Sequence, residues 1–226
     1  MAYLLHIESS STVCSVALSK NDELIALKEI NNGYSHAENL HVFIQQLMDE
    51  NHLQMSQLGA ISVSSGPGSY TGLRIGFSAA KGIAFALNIP LITVDTLKIL
   101  AVQAIYLVKA DAIYVPLMDA RRMEVYCAVY DKSLREVLSG RALILTDEAI
   151  EMFREYKPLY FFGDGMPKSR VLLSGLENVN FIDGIAASSE AMVALAYQKY
   201  ISNEFADVAY TEPNYLKEFY FTSDKK

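Results

Sequence analysis

The residues best suited to chemistry form two groups early in the chain. The first is the run Ser64-Ser65-Gly66-Pro67-Gly68-Ser69-Tyr70-Thr71-Gly72-Leu73-Arg74-Ile75-Gly76. A glycine-rich turn that opens a helix lets backbone N–H groups converge at the helix N-terminus, where an anion is stabilised. The second is Glu8 with the hydroxyl-rich turn Ser9 to Thr12, which could hold a magnesium–phosphate group through waters. Together, Glu8, Ser9, Gly66, Gly68, Ser69 and Thr71 outline a vestigial nucleotide or phosphate site. Each group also has a plain structural use. The glycines permit a tight turn and close helix–sheet packing, and the hydroxyls can satisfy nearby backbone groups. No Gly-Lys-Ser/Thr follows the turn, Thr71 stands where a dinucleotide fingerprint has its third glycine, and the hydrolase elbow Gly-x-Ser-x-Gly is missing.

Other candidate chemistry lacks partners at the right spacing. His36 and His41 are five residues apart, about 140° around a helix, so they do not share a face as a helical zinc pair does. His6 and His52 are isolated, and no metal site is expected. Ser69, Thr71 and Cys127 are nucleophiles for which no spacing identifies a base. Arg121, Arg122 and Glu124, after Asp119, read as a solvated hairpin start. No catalytic residue is assigned.

The elements that must position these residues follow from periodicity. Residues 3–8 read as a strand; Val13–Ser19 and Glu23–Ile30 read as a hairpin turning at Asn21-Asp22. Ser35 to Glu38 has the spacing of a capping box. It opens a helix whose apolar residues Leu40, Phe43, Ile44, Leu47 and Met48 fall on one face. Strand 60–64, helix 71–87, strand 91–94 and helix 97–108 complete a βββαβαβα order. The second half repeats it, with strands at 113–118, 125–130 and 136–145, helix 147–156, strand 159–162, a short helix near 167–173, strand 179–182 and helix 189–203. Glu8 closes the first strand of one half and Asp119 that of the other. The expected fold is therefore α/β, with two actin-like (ASKHA, RNase H-like) domains, the architecture of sugar kinases and actin. The domains are placed at 1–108 and 109–226, with the C-terminal tail packing back on the first.

Gly72, Gly76, Ala80 and Ala84 recur at every fourth position of the helix after the glycine turn. Interior glycines cost about 1 kcal/mol each relative to Ala, and close approach by another element would offset this. The helix is apolar nearly all round, whereas a helix lying on a sheet needs only one apolar side. The stripe is assigned to an intermolecular surface, in preference to cover by the preceding helix. The predicted partner interface is Leu40, Phe43, Ile44, Leu47, Gly72, Leu73, Gly76, Phe77, Ala80 and Ala84.

With 226 residues, 51% of them hydrophobic, the chain can build a sizeable core. No stretch approaches the roughly 18 apolar residues of a membrane span. The N-terminus reads as a first strand rather than a secretion signal, so a cytoplasmic protein is expected. Two cysteines, Cys14 and Cys127, exclude a disulfide framework and are expected as free, partly buried thiols. The net charge of −7 disfavours independent grip on a phosphate backbone; a more basic partner would have to supply contact with RNA.

The chain resembles the bacterial TsaB family over nearly its whole length. The resemblance rests on Leu5-His6-Ile7-Glu8-Ser9-Ser10 with Cys14 to Leu18, on His36-Ala37-Glu38-Asn39-Leu40, and on Gly66 to Gly76 with Ala80-Lys81-Gly82. Asp119-Ala120-Arg121, Glu124-Val125-Tyr126 and Glu212-Pro213-Asn214-Tyr215-Leu216 complete it. It implies a noncatalytic dimerization or scaffold subunit in the synthesis of N6-threonylcarbamoyladenosine at position 37 of tRNA, with no cofactor of its own. The implied partners are TsaD, which carries the metal and the transfer chemistry, and the ATPase TsaE. The implied self-pairing uses the same helices, about 36–51 and 71–87, and tRNA is reached only through the complex. Two departures stand out: Glu8 replaces the family's Asp, and the paralogue's histidine pair is missing. An autonomous ATP-binding phosphotransferase or ATPase is the alternative, and a peptidase, suggested only by an old family label, comes last.

Overall fold

In a computed structural model, which describes residues 1–33 and 35–217, the chain forms two five-stranded sheets of identical topology. The first half comprises β1 (Tyr3–Glu8), β2 (Cys14–Lys20), β3 (Glu23–Ile30), α1 (His36–Glu50), β4 (Leu58–Ser64), α2 (Tyr70–Leu87), β5 (Leu91–Val94) and α3 (Thr96–Val108). The second comprises β6 (Ile113–Asp119), β7 (Glu124–Asp131), β8 (Glu136–Ile144), α4 (Asp147–Ile150), β9 (Leu159–Phe162), α5 (Met166–Leu173), β10 (Val179–Ile182) and α6 (Val193–Ile201). The strand orders are β3-β2-β1-β4-β5 and β8-β7-β6-β9-β10. In each sheet the central strand pairs antiparallel with its hairpin and parallel with the next strand. Two βββαβαβα halves with matching sheets are the actin-like arrangement expected from the sequence.

The apolar runs of the central strands have a direct cause. β1 is covered on both faces, so it cannot alternate with polar residues. Leu5 and Ile7 enter a core under α1 and α2, and Leu4, on the opposite face, enters a core shared by both halves. That shared core also takes Leu97, Leu100 and Ala101 from α3, Tyr114 and Tyr130 from the second sheet, and Ala196 from α6. The last helix of each half thus lies between the two sheets. A third core, around Val115, Phe153 and Phe161, sits under α4 and α5. The halves are also joined by Ser15 and Ser189, whose hydroxyls lie 2.6 Å apart, with the Ser189 amide donating to the Ser15 hydroxyl at 3.1 Å.

Three local expectations are corrected. Ser35 precedes α1, but its hydroxyl donates to Asn32 Oδ1 (2.7 Å) and caps no first-turn amide. The helix expected over 147–156 is α-helical only to Ile150, then tightens to a 3₁₀ turn at Glu151–Phe153. That turn delivers Phe153 to the third core, where it is fully buried. The helix expected from Ser189 starts as a 3₁₀ turn, Ser189–Met192, before α6. Both cysteines are free and completely buried.

The segment after α6 returns to the first half. The Ala206 amide donates to the Leu91 carbonyl (2.8 Å), extending the edge at β5. Lys81 of α2 donates to the carbonyls of Ala209 (3.1 Å) and Thr211 (2.9 Å), and the Asn214 amide donates to the Ser65 carbonyl (2.7 Å). Lys217 then pairs with Glu124 of β7. This strap crosses from one half to the other alongside α2. Among the described residues, no helix is long and apolar enough to cross a membrane.

Candidate functional site

Two regions gather the residues singled out in the sequence: the face of α1 and α2, and the cleft between the halves. In α2, the side bearing Gly72, Gly76, Ala80 and Ala84 lies against β1 and its following turn. A methyl group on Gly72 would overlap the Ser9 carbonyl oxygen, and one on Gly76 would overlap the Ser9 hydroxyl. That hydroxyl donates to the Gly72 carbonyl at 2.9 Å. The element that needs the small residues is the chain's own β1–β2 turn. This corrects the predicted interface. Leu40, Ile44, Leu47, Gly72, Leu73, Gly76, Phe77, Ala80 and Ala84 are buried within the chain, and Phe43 is half-buried on the same core.

The outward side of α2 carries a second small-residue row at the same spacing: Ser78, Gly82 and Ala86, all exposed. A methyl group on Gly82 would meet nothing within 4 Å. Beside this row lie Thr71, Ile75 and Ile83 of α2, with Ala37 and His41 of α1 across from them, around a groove of about 660 Å³. Phe85, at the end of the helix, is 82% exposed. Sequence spacing could have revealed the outer row, but an apolar helix gives no polar side to mark which row faces out.

The cleft between the halves has a volume of about 820 Å³. One wall presents Ser10, Ser11, Thr12, Gly68, Ser69 and Thr71, and the other Asp119, Arg121, Tyr126 and Asp164. Of the predicted phosphate set, Gly68, Ser69 and Thr71 reach it; Glu8, Ser9 and Gly66 do not. Glu8 is completely buried, and its Oε1 accepts both the Ser10 amide (2.6 Å) and the Ser10 hydroxyl (2.5 Å). Among the described residues, its Oε2 has no hydrogen-bond partner within bonding distance. Burial pushes the Glu8 carboxyl up to about 7, against the opposing pull of the Ser10 bonds. Glu8 is therefore not placed to meet a cation in the cleft.

Several amides of the turn are engaged within the chain as well. The Ser69 amide donates to the Ser10 carbonyl (2.7 Å), the Gly66 amide to Thr96 Oγ1 (3.1 Å), and the Gly72 amide to the capping Ser69 hydroxyl (3.2 Å). A magnesium–phosphate group held by Glu8 and these amides does not fit the arrangement. On the far wall, the Asp119 amide donates to Asp164 Oδ1 (2.9 Å), and Lys168 pairs with the Asp119 carboxylate while donating to the carbonyls of Arg122 (2.8 Å) and Glu124 (2.6 Å). Desolvation raises the Asp164 carboxyl.

The remaining candidates are structural. His36 Nε2 lies 2.9 Å from the Ser11 carbonyl and ties the start of α1 to the β1–β2 turn, while His41 sits on the outer groove. The two rings serve different places, as their spacing indicated. Burial pushes the Cys127 thiol up to about 12, which suppresses the thiolate a nucleophile needs.

Comparison with known proteins bears on the same regions. Residues 32–218 match the family model of TsaD, tRNA N6-adenosine threonylcarbamoyltransferase. The tRNA threonylcarbamoyladenosine biosynthesis protein TsaB of Bacillus subtilis is 30% identical over 95% of this chain and 93% of that relative. A Pseudomonas aeruginosa structure, described as an uncharacterized protein similar to peptidase YEAZ, superposes with a TM-score of 0.83. It is 26% identical over 96% of this chain and 100% of that one. The ADPNP-bound activator of the 2-hydroxyisocaproyl-CoA dehydratase of Clostridium difficile shares the fold alone, with a TM-score of 0.50 and 9% identity over 91% of this chain and 98% of the other.

Proposed function

Because the chain belongs to the TsaB family of tRNA threonylcarbamoyladenosine biosynthesis proteins, we propose that it takes part in that synthesis in the cytoplasm as a noncatalytic scaffold subunit. It docks a TsaD-type threonylcarbamoyltransferase through the outer face of α1 and α2, and the TsaE-type ATPase joins that pair. Alone, it pairs with a second copy by the same face. The observation that carries the reading is the outer row Ser78, Gly82 and Ala86 beside the α1–α2 groove. Small exposed residues let a partner helix approach the α2 backbone closely, and close packing at an interface core resembles that of a protein interior.

The burial of Glu8 and the internal engagement of the Ser69 and Gly72 amides support a role without nucleotide turnover. The acidic charge supports contact with tRNA through the complex rather than by this chain alone. Reconstitution tests the proposal. Purified transferase, ATPase, this chain and unmodified tRNA should yield the modified nucleoside, and omission of this chain should abolish it. Gly82→Arg should abolish it too, because an arginine there obstructs docking from open space without touching the core. Full modification with Gly82→Arg would overturn the docking face. Calorimetric binding and turnover of ATP by the isolated chain would instead support the phosphotransferase reading.

A further inference from the structure

Gly66, in the glycine-rich run, does not reach the cleft, yet its backbone serves another contact. It sits at φ +95°, and a methyl group there would lie 2.9 Å from the Asn214 carbonyl oxygen of the strap. The Asn214 amide donates to the neighbouring Ser65 carbonyl at 2.7 Å. The bare Gly66 backbone is thus the seat on which the strap crosses the loop before α2. The next three residues of the strap go to three other elements. The Tyr215 ring lies 5.2 Å from the Tyr70 ring of α2, and its hydroxyl accepts a hydrogen bond from Arg74 Nε at 3.3 Å. Leu216 reaches β8, with its Cδ1 3.8 Å from the place a Gly140 methyl group would take. Lys217 pairs with Glu124 of β7. Asn214 and Tyr215 therefore hold the first half, and Leu216 and Lys217 hold the second.

The place of the crossing gives it a use. Tyr70 lines one side of the cleft between the halves, and Tyr126, two residues along β7 from Glu124, lines the other. Four residues span at most roughly 14 Å when fully extended, so a segment anchored on both sides limits how far those sides can part. The halves are also joined by the shared core around α3 and by the bond between Ser15 and Ser189. We propose that residues 214–217 are a clasp that sets how far the cleft opens, with Gly66 as its seat. The hold on the second half consists of a leucine contact and an ion pair whose lysine side chain is 37% exposed. Such pairs are individually weak, so the clasp can release by local opening while each half stays folded.

Native-state amide exchange of the full chain tests the clasp, because exchange through local opening follows the population of the open form. Three amides report on three places. That of Asn214 reports on the strap, and that of Ser189, bonded to the Ser15 hydroxyl at 3.1 Å, on the separation of the halves. That of Ile61, which donates to the Pro90 carbonyl at 3.0 Å within the first half, reports on internal stability. Lys217→Glu sets two acids against each other and should speed exchange at Asn214 and Ser189 about three- to tenfold, with Ile61 at the parent rate. Adding Glu124→Lys to Lys217→Glu should bring both back to within about twofold of the parent. Leu216→Ala should speed the same two amides. Lys157→Glu, which breaks the ion pair with Glu177 elsewhere in the second half, should change neither. Parent-like exchange at Ser189 in both Lys217→Glu and Leu216→Ala would overturn the clasp and leave the strap a local cover. Equal acceleration at Ile61 would overturn it as a general loss of stability. Acceleration at Ser189 by Lys157→Glu would overturn it in favour of net charge.

Discussion

Two buried titratable residues on β1 set opposite pH dependences. His6 is fully buried, with Nδ1 2.7 Å from the Ser62 hydroxyl and Nε2 2.8 Å from the Ser19 hydroxyl, and burial lowers its pKa to about 3. A depressed folded value means the unfolded chain binds the proton more readily. Its contribution is therefore complete above 6.5 and lost as pH falls toward 3. Glu8 runs the other way: with a folded value raised from 4.5 to about 7, its contribution is complete below 4.5 and lost as pH rises through 7. Between 4.5 and 6.5 the two slopes oppose, and above 6.5 that of Glu8 remains. Urea unfolding should show that Glu8→Gln removes a loss on the order of 2–3 kcal/mol between pH 5 and pH 8. Identical pH slopes for parent and variant would contradict the burial of the carboxyl. The sequence placed Glu8 at the end of the strand but could not show its complete burial, because the turn after it is covered from far along the chain, where the Ser69 amide donates to the Ser10 carbonyl.

At the scale of the element, α2 has two glycine environments and predicts two signs. Gly72→Ala gains about 1 kcal/mol of helix propensity, but its new methyl group meets the Ser9 backbone, and overpacking costs about 1–3 kcal/mol. The clash involves backbone rather than a flexible side chain, so destabilisation wins. Gly82→Ala faces open space and should stabilise by about 0.5–1 kcal/mol. Thermal melts of the two variants check this; matching signs would refute the assignment of inner and outer faces. The period of four was legible in the sequence for both rows. Which row faced the sheet was not, because α2 carries apolar residues around most of its circumference and the deciding contact, Ser9, lies more than sixty residues away.

At the scale of the whole molecule, the duplication was legible because strand and helix order are local properties. Strands over 23–30, 91–94, 159–162 and 179–182 match the observed limits, and the two sheets share one order. The positions of α3 and α6 between the sheets were not legible, since their partners come from the opposite half. The strap was expected only as a tail packing on the first half; its ion pair with Glu124 also ties it to the second. The whole arrangement buries Glu8 and Ser9, sets Gly68 and Ser69 on the cleft between the halves, and leaves the outer side of α1 and α2 open. The most direct test is the light-scattering mass of an equimolar mixture with the TsaD-type transferase of the same organism. The parent chain should give a complex at the summed mass, and a Gly82→Arg chain with parent-like melting should leave two separate species. A summed mass with both proteins, or with neither, would contradict the account.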